Sequence, residues 1–168
     1  MTKKPDFKKG ILNPLFHLEG KMNIQMRPVG TIVNTITAKP AQTFKWGDVV
    51  SEIHINPELA EGLECIEEFS HLNIIWSPHQ SQPEGMTLLV YPRGQKEFGK
   101  IGVFASRSPF RPNPIAKTLV RLLEHKGNVL KVKGLDTING TPVLDIKPFI
   151  MDYDSDKEAI TAPWIKPV

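Results

Sequence analysis

The sequence predicts an all-β domain, an antiparallel barrel or sandwich. Three observations carry this: eight short β-rich runs, a single well-signalled helix, and turn-forming residues between the runs. Residues 1–21 show no periodicity and read as a flexible basic leader or an upstream extension. The runs begin directly afterwards: Pro28–Ile36, Val49–Ile55, Leu72–Trp76, Met86–Tyr91, Ile101–Ala105, Thr118–Leu123, Val129–Val132 and Val143–Ile146. Glu124–Asn128 lies between two of them and reads as a hairpin connection. Gly134, Asn139-Gly140 and Pro142 punctuate the later part. The helix is signalled by Asn56 as a cap, Pro57 at its first position and Glu58 at the positive dipole end. Leu59, Leu63 and Ile66 then form an apolar stripe up to Phe69. The same logic predicts a short helical turn after Asn113-Pro114. The division expected is a leader (1–21), one domain (22–155) and a C-terminal tail (156–168).

At 168 residues, 40% hydrophobic and 23% charged, the chain suits one soluble globular domain. One cysteine, Cys65, excludes an internal disulfide and fits a reducing, cytoplasmic setting. No apolar stretch is long enough to cross a bilayer, and the first residues lack the apolar centre of a signal peptide. The net charge of +3 hides a strong sorting along the chain. Residues 1–21 hold five lysines against two acids, residues 48–84 eight acids and no Lys or Arg, and residues 86–121 seven basic residues against Glu97. Such sorting is the footprint of a polyanionic partner such as RNA, or of acidic and basic elements packed side by side.

The densest chemistry lies in Gly99–Val120. Ile101–Ala105 reads as a buried strand, from which Ser106-Arg107-Ser108 emerges with hydroxyls and a guanidinium. Pro109, Pro112 and Pro114 then restrict the backbone to extended and turn conformations. Arg107 and Arg111 on such a loop suit an anionic or carboxylate-bearing ligand, or ion pairs with the chain's own acids. His79-Gln80 leaves a strand end after Ser77-Pro78, and Asp136 follows Val132–Leu135 in the same way, where a carboxylate can accept hydrogen bonds from a ribose. Asp145 and Lys147 share one face of a strand and read as part of a cross-strand ion-pair network with Arg107 or Arg111. The sequence contains no GxGxxG fingerprint, Walker loop, paired CxxC or GxSxG elbow. His54, His71, His79 and Cys65 match no common zinc spacing, so no metal is expected.

The segments EGLECIEEFSHLNIIWSPHQ (61–80), YPRG (91–94), IGVFASRSPFRPNPI (101–115) and GLDTINGTPVLDIKPF (134–149), with the opening PVGTIVN, resemble the TsaA-like family, also called YaeB-like or TrmO. The resemblance spans roughly residues 27–155. It implies a small antiparallel β-barrel with one or two short helices, a non-Rossmann methyltransferase dependent on S-adenosylmethionine (SAM). The implied substrate is a tRNA whose adenosine beside the anticodon carries a threonylcarbamoyl group and gains an N6 methyl. It also implies a homodimer with the cofactor near the contact between protomers. Carried over position by position, the cofactor contacts fall on His79, Gln80, Arg107, Lys117, Lys133, Gly134, Leu135 and Asp136, with a further contact somewhere in Gln42–Trp46.

In that frame Arg107 pairs with the cofactor's carboxylate or an RNA phosphate, and Asp136 holds its ribose. Histidine is the side chain that ordinarily titrates near neutrality, which makes His79 the candidate general base, a role secondary to cofactor binding. Arg93, Lys96, Lys100, Arg111 and Arg121 would hold the anticodon arm through phosphates. Three departures from the family pattern stand out. Ala116 replaces a glycine, Asn139-Gly140 stands where Asp-Gly is usual, and the extra C-terminal domain of longer members has no counterpart here. These leave open a SAM- or RNA-binding barrel without turnover, or the same chemistry on another substrate.

Overall fold

The computed structural model describes residues 24–41, 43–81 and 86–165, with Arg93 described in its backbone alone. The expected leader therefore lies outside the described residues, as do the last three positions of the tail.

All eight β-rich runs contain strand: β1 (Gly30–Val33), β2 (Val50–Ile55), β3 (His71–Trp76), β4 (Leu89–Val90), β5 (Ile101–Gly102), β6 (Ala116–Lys126), β7 (Val129–Lys133) and β8 (Pro142–Pro148). Six of them close into an antiparallel barrel in the order β1-β2-β7-β6-β3-β8, while β4 and β5 pair with each other outside it. Of the two architectures that the residues allowed, the barrel is the one formed.

Alternation builds the interior. Ile32, Ile53, Ile55, Leu72, Ile74, Val120, Leu130, Val132 and Val143 point inward and are buried together. Each such side chain contributes about 1.5–3 kcal/mol on burial. Closure leaves no open sheet edge in the barrel. Two register shifts bend the wall: β6 against β7 between Leu122 and Glu124, and β3 against β8 beyond Ile75. At Gly30 β1 runs so close to β2 that an added Cβ would lie 2.5 Å from the His54 carbonyl oxygen. The β6–β7 hairpin is tighter than Glu124–Asn128 suggests. Both strands run up to a turn at Gly127-Asn128, with Gly127 at φ +60°.

Three local expectations need correction. The segment Asn56–Phe69 forms two 3-10 helices, Pro57–Leu63 and Ile66–Glu68, rather than one amphipathic helix. Cys65 sits in the left-handed region at φ 63° and separates them. Asn56 does not cap; its side-chain amide donates to the Pro28 carbonyl at 3.0 Å. With the tighter period, Leu63 is buried while Leu59 is exposed. Ile101–Ala105 is strand only over Ile101–Gly102, then a 3-10 turn that buries Val103 and leaves Phe104 79% exposed. After Asn113-Pro114 no helical turn forms; Ile115 N–H donates to the Asn113 carbonyl at 2.8 Å and β6 begins. Beyond the barrel, the described part of the C-terminal segment is a single helical turn, α1 (Met151–Asp154), followed by chain that is exposed apart from half-buried Ala162 and Trp164.

Candidate functional site

Antiparallel order brings the ends of β1, β3 and β7 and the starts of β2, β6 and β8 to one mouth of the barrel. There the connections are long, and they enclose a cavity of about 660 Å³. Its walls come from Lys39–Ala41 and Trp46, from Trp76 and Pro78–Ser81, from the Arg107–Arg111 loop, from Ile115–Lys117, and from Asp136–Ile138 with Thr141. That size and the mixture of aromatic, cationic and hydrogen-bonding groups suit a cofactor-sized ligand.

Each wall has a local cause. The proline–arginine loop is organised around its own hydroxyls and one guanidinium. Arg111 donates from Nε to the Ser108 carbonyl at 3.0 Å and from Nη2 to the carbonyls of Val103 and Ser106 at 3.1 and 2.7 Å. Ser106 Oγ donates to the Val103 carbonyl at 2.8 Å and accepts from Ser108 N–H, while Ser108 Oγ accepts from Phe110 N–H. Arg111 thus serves the loop's own backbone. Arg107 instead lines the cavity with an exposed side chain whose charge acts on Asp136.

Opposite, the Lys133–Gly140 connection turns at Gly134, whose φ of +93° favours glycine. Asn34 and the threonines then tie it down. Asn34 Nδ2 donates to Ser51 Oγ and to the Thr137 carbonyl, both at 3.0 Å. Thr137 Oγ1 donates to Thr141 Oγ1 at 2.8 Å, and Thr141 Oγ1 to the Ile138 carbonyl at 2.8 Å. Asn139 Oδ1 accepts from Asn34 N–H at 3.1 Å, so this side chain supports the turn.

Asp136 emerges from this connection into the cavity. Thr118 Oγ1 donates to its Oδ1, and Trp76 Nε1 donates to Thr118 Oγ1 at 3.0 Å. Its carboxyl pKa is raised, first by burial, against the opposing pull of the Thr118 hydroxyl, its own backbone amide and Arg107. The residue is solvent-accessible and lines the cavity.

Of the eight carried-over cofactor positions, His79, Gln80, Arg107, Lys117 and Asp136 line the cavity. Lys117 has its ammonium 3.5 Å from Asp154 of α1. Lys133, Gly134 and Leu135 are not among the lining residues. Lys133 pairs with Asp48 at 2.9 Å, lowering the Asp48 pKa, and Leu135 is wholly buried in the barrel core. Gly134 supplies the turn. Within the loosely placed Gln42–Trp46 stretch, Trp46 lines the cavity and Gln42 lies outside the described residues. Ala116 is also among the residues that line it.

Sequence reasoning missed Lys39, Trp76, Thr137 and Thr141. The aromatic reads as an ordinary strand residue and the threonines as turn residues; the register of β3 on β6 brings in Trp76, and the folding of the β7–β8 connection brings in the threonines.

Among the basic residues assigned to RNA, Lys96 and Lys100 stand exposed near the β4–β5 pair, Lys100 with its ammonium 5.6 Å from the Tyr91 ring centroid. Arg121 is exposed on β6 beside His71 and Lys133. The side chain of Arg93 lies outside the described residues. Asp145 pairs with Lys147 at 2.8 Å along its own strand, rather than with Arg107 or Arg111. Among the described residues no group of three or more His, Cys, Asp or Glu side chains gathers as a metal site, and no helix is long and apolar enough to cross a membrane.

A family model described as the tRNA-methyltransferase O N-terminal domain matches residues 29–155. A probable S-adenosyl-L-methionine-binding protein of Methanothermobacter thermautotrophicus is 43% identical, over 80% of this chain and 96% of that one. The tRNA (adenine(37)-N6)-methyltransferase of Escherichia coli is 45% identical over 82% of this chain, which spans 62% of the bacterial enzyme. The crystal structure of TrmO from Pseudomonas aeruginosa superposes with a TM-score of 0.71 at 29% identity, covering 88% of this chain and 65% of that one.

Proposed function

This chain belongs to the tRNA-methyltransferase O N-terminal domain family, and from that premise we propose that it is a SAM-dependent methyltransferase. Its substrate in this reading is tRNA, and the reaction is N6-methylation of threonylcarbamoyladenosine beside the anticodon. The observation that carries the proposal is the barrel-mouth cavity, with five of the cofactor positions carried over by resemblance on its wall.

The donor set fits SAM chemically. Trp46, Trp76 and Ile115 offer apolar and aromatic surface for an adenine. Arg107 offers a guanidinium for the methionine carboxylate, and Asp136 an acceptor for a ribose hydroxyl. SAM supplies a sulfonium-activated methyl group. The chain's own work is to hold donor and acceptor in line and to exclude water, the usual sources of rate in a displacement. Gln80 and Lys117, from two different walls, help to orient the ligand in this reading. The acceptor nitrogen loses a proton as it is methylated. His79, exposed at the start of its 3-10 turn with its backbone N–H on the Ser77 carbonyl at 2.8 Å, is the residue in this reading that binds the cofactor and secondarily takes that proton.

Lys96, Lys100 and Arg121 present charge for the anticodon arm. A homodimer is part of the same reading, supported by exposed Leu119 and Leu123 on the outer face of β6, and sedimentation equilibrium tests it. Ala116 in the cavity wall favours a second reading, a SAM-binding barrel without turnover.

Calorimetry with SAM followed by incubation with threonylcarbamoylated tRNA and labelled SAM separates these. Binding with label transfer supports the enzyme, binding without transfer supports the second reading, and no binding defeats both.

A further inference from the structure

The chain Trp76–Thr118–Asp136 is anchored in direction at its indole end. An indole N–H can only donate, so Thr118 Oγ1 accepts from Trp76, and the single hydroxyl proton goes to Asp136 Oδ1. Both contributors come from the register that sets β3 beside β6, with Ile74 opposite Thr118 and Trp76 opposite Ala116. Their inward alternation places indole and hydroxyl together at the barrel mouth.

We propose that Thr118 and Trp76 are positioning residues for Asp136, holding its carboxylate as an ionised acceptor for a hydroxyl- or amine-bearing ligand. This rests on the reading of Asp136 as a cofactor-binding group. With the link running from Thr118 to Oδ1, the charged form leaves both carboxylate oxygens as acceptors, one for the relay and one for a donor of the ligand. A neutral acid keeps these contacts only by reversing one of them, either by donating from Oδ1 to the second Thr118 Oγ1 lone pair or by making the ligand accept from Oδ2. Ligand and relay in this arrangement therefore favour the charged form. Burial pushes the other way, toward the neutral acid. The charged and titratable groups facing this space are Arg107, Lys39, His79, Arg111 and Lys117. Of these Arg107 acts with Thr118 to favour the carboxylate.

Thr118→Val keeps the branched shape and removes the hydroxyl, while Thr118→Ser keeps the hydroxyl. Carbon-13 NMR titration of the Asp136 carboxyl, assigned with Asp136→Asn, reads the relay without any ligand. The midpoint in Thr118→Val is expected above that of wild type, with Thr118→Ser close to wild type. Trp76→Phe, which frees the hydroxyl to rotate, is expected to shift the midpoint upward by less. SAM affinity of Thr118→Val, by calorimetry, is expected to fall by about tenfold, the scale of one hydrogen bond, with a larger loss at lower pH. An unchanged midpoint in Thr118→Val, or a Thr118→Ser midpoint equal to that of Thr118→Val, overturns the proposal. An unmoved Trp76→Phe midpoint overturns the part assigned to the indole. If the wild-type chain binds no SAM, the cofactor reading fails, and the titration still decides the relay.

Discussion

Replacing Arg111 separates an arginine that builds the loop from one that meets RNA. Its guanidinium makes three hydrogen bonds to the carbonyls of Val103, Ser106 and Ser108, at 2.7–3.1 Å, in a half-buried position. Hydrogen bonds from a charged donor contribute about 1.5–3 kcal/mol each when sheltered, and water recovers part of that when the donor is removed. Taking about 1 kcal/mol apiece, Arg111→Ala costs about 3 kcal/mol, or a melting-temperature drop of about 6–12 °C for a chain of this size. Arg111→Lys keeps the charge but loses the planar fork, and costs about 2 kcal/mol. Scanning calorimetry measures both. In parallel, the dependence of tRNA affinity on salt tells where the charge acts. Each phosphate contact contributes about one unit to the slope of log affinity against log salt. Lys100→Ala is expected to flatten the slope by about that amount and Arg111→Ala to leave it unchanged. The reasoning is refuted if Arg111→Ala melts with wild type while flattening the slope, which is the signature of a phosphate contact.

Three further outcomes follow from the geometry. His79→Gln is expected to weaken SAM binding by about tenfold, the scale of a lost hydrogen bond; full affinity with full turnover would remove His79 from both roles assigned to it. Asp136 has a folded-state pKa above its unfolded value, so its contribution to stability falls as pH rises through that interval and is most unfavourable above the folded pKa. Asp136→Asn is therefore expected to gain stability relative to wild type at neutral pH and to lose that advantage at pH values below about 3, where both states of the wild type are protonated. Urea denaturation across pH checks this, and a difference independent of pH would sink it. Gly30→Ala places a methyl 2.5 Å from the His54 carbonyl and 3.0 Å from Ile55 Cα, backbone atoms held in the sheet. Overpacking of that kind costs about 1–3 kcal/mol, and a wild-type denaturation midpoint would contradict the closeness of β1 and β2.

Local pattern made the strands legible, because alternation and turn residues are read from neighbours in the chain. Strand order was not, since pairing β2 with β7 and β3 with β8 joins residues far apart in sequence. The helix between Asn56 and Phe69 misled because a cap-like residue, a proline and an apolar stripe favour an α-helix. The structure spends Asn56 on Pro28 and turns the chain at Cys65 instead. For the site, His79, Gln80, Arg107 and Asp136 leave strands or turns at the mouth, and their place on the wall agrees with their place in the sequence. Lys133 and Leu135 carry the same motif but turn away, one to Asp48 and one into the core. Side-chain direction on either side of Gly134, at positive φ, is not readable from composition. Thr118 and Trp76 were invisible for a different reason: both are ordinary strand residues until the register sets them side by side.

The barrel is a ring, and the strength of a ring is that of its thinnest joint. Five of its six joints are registered over four or more residue pairs, whereas β1 and β8 share Gly30 with Val143 and Thr31 with Pro142. Pro142 brings no N–H to that joint. The joint is fastened at its end by Ile32 N–H on the Thr141 carbonyl and Gly140 N–H on the Ile32 carbonyl, within the same connection that presents Asp136. Unzipping there loosens the cavity wall and the hoop together. A ligand that binds only the closed mouth adds its binding free energy to the stability of the closed hoop, so this joint is where binding and folding are linked.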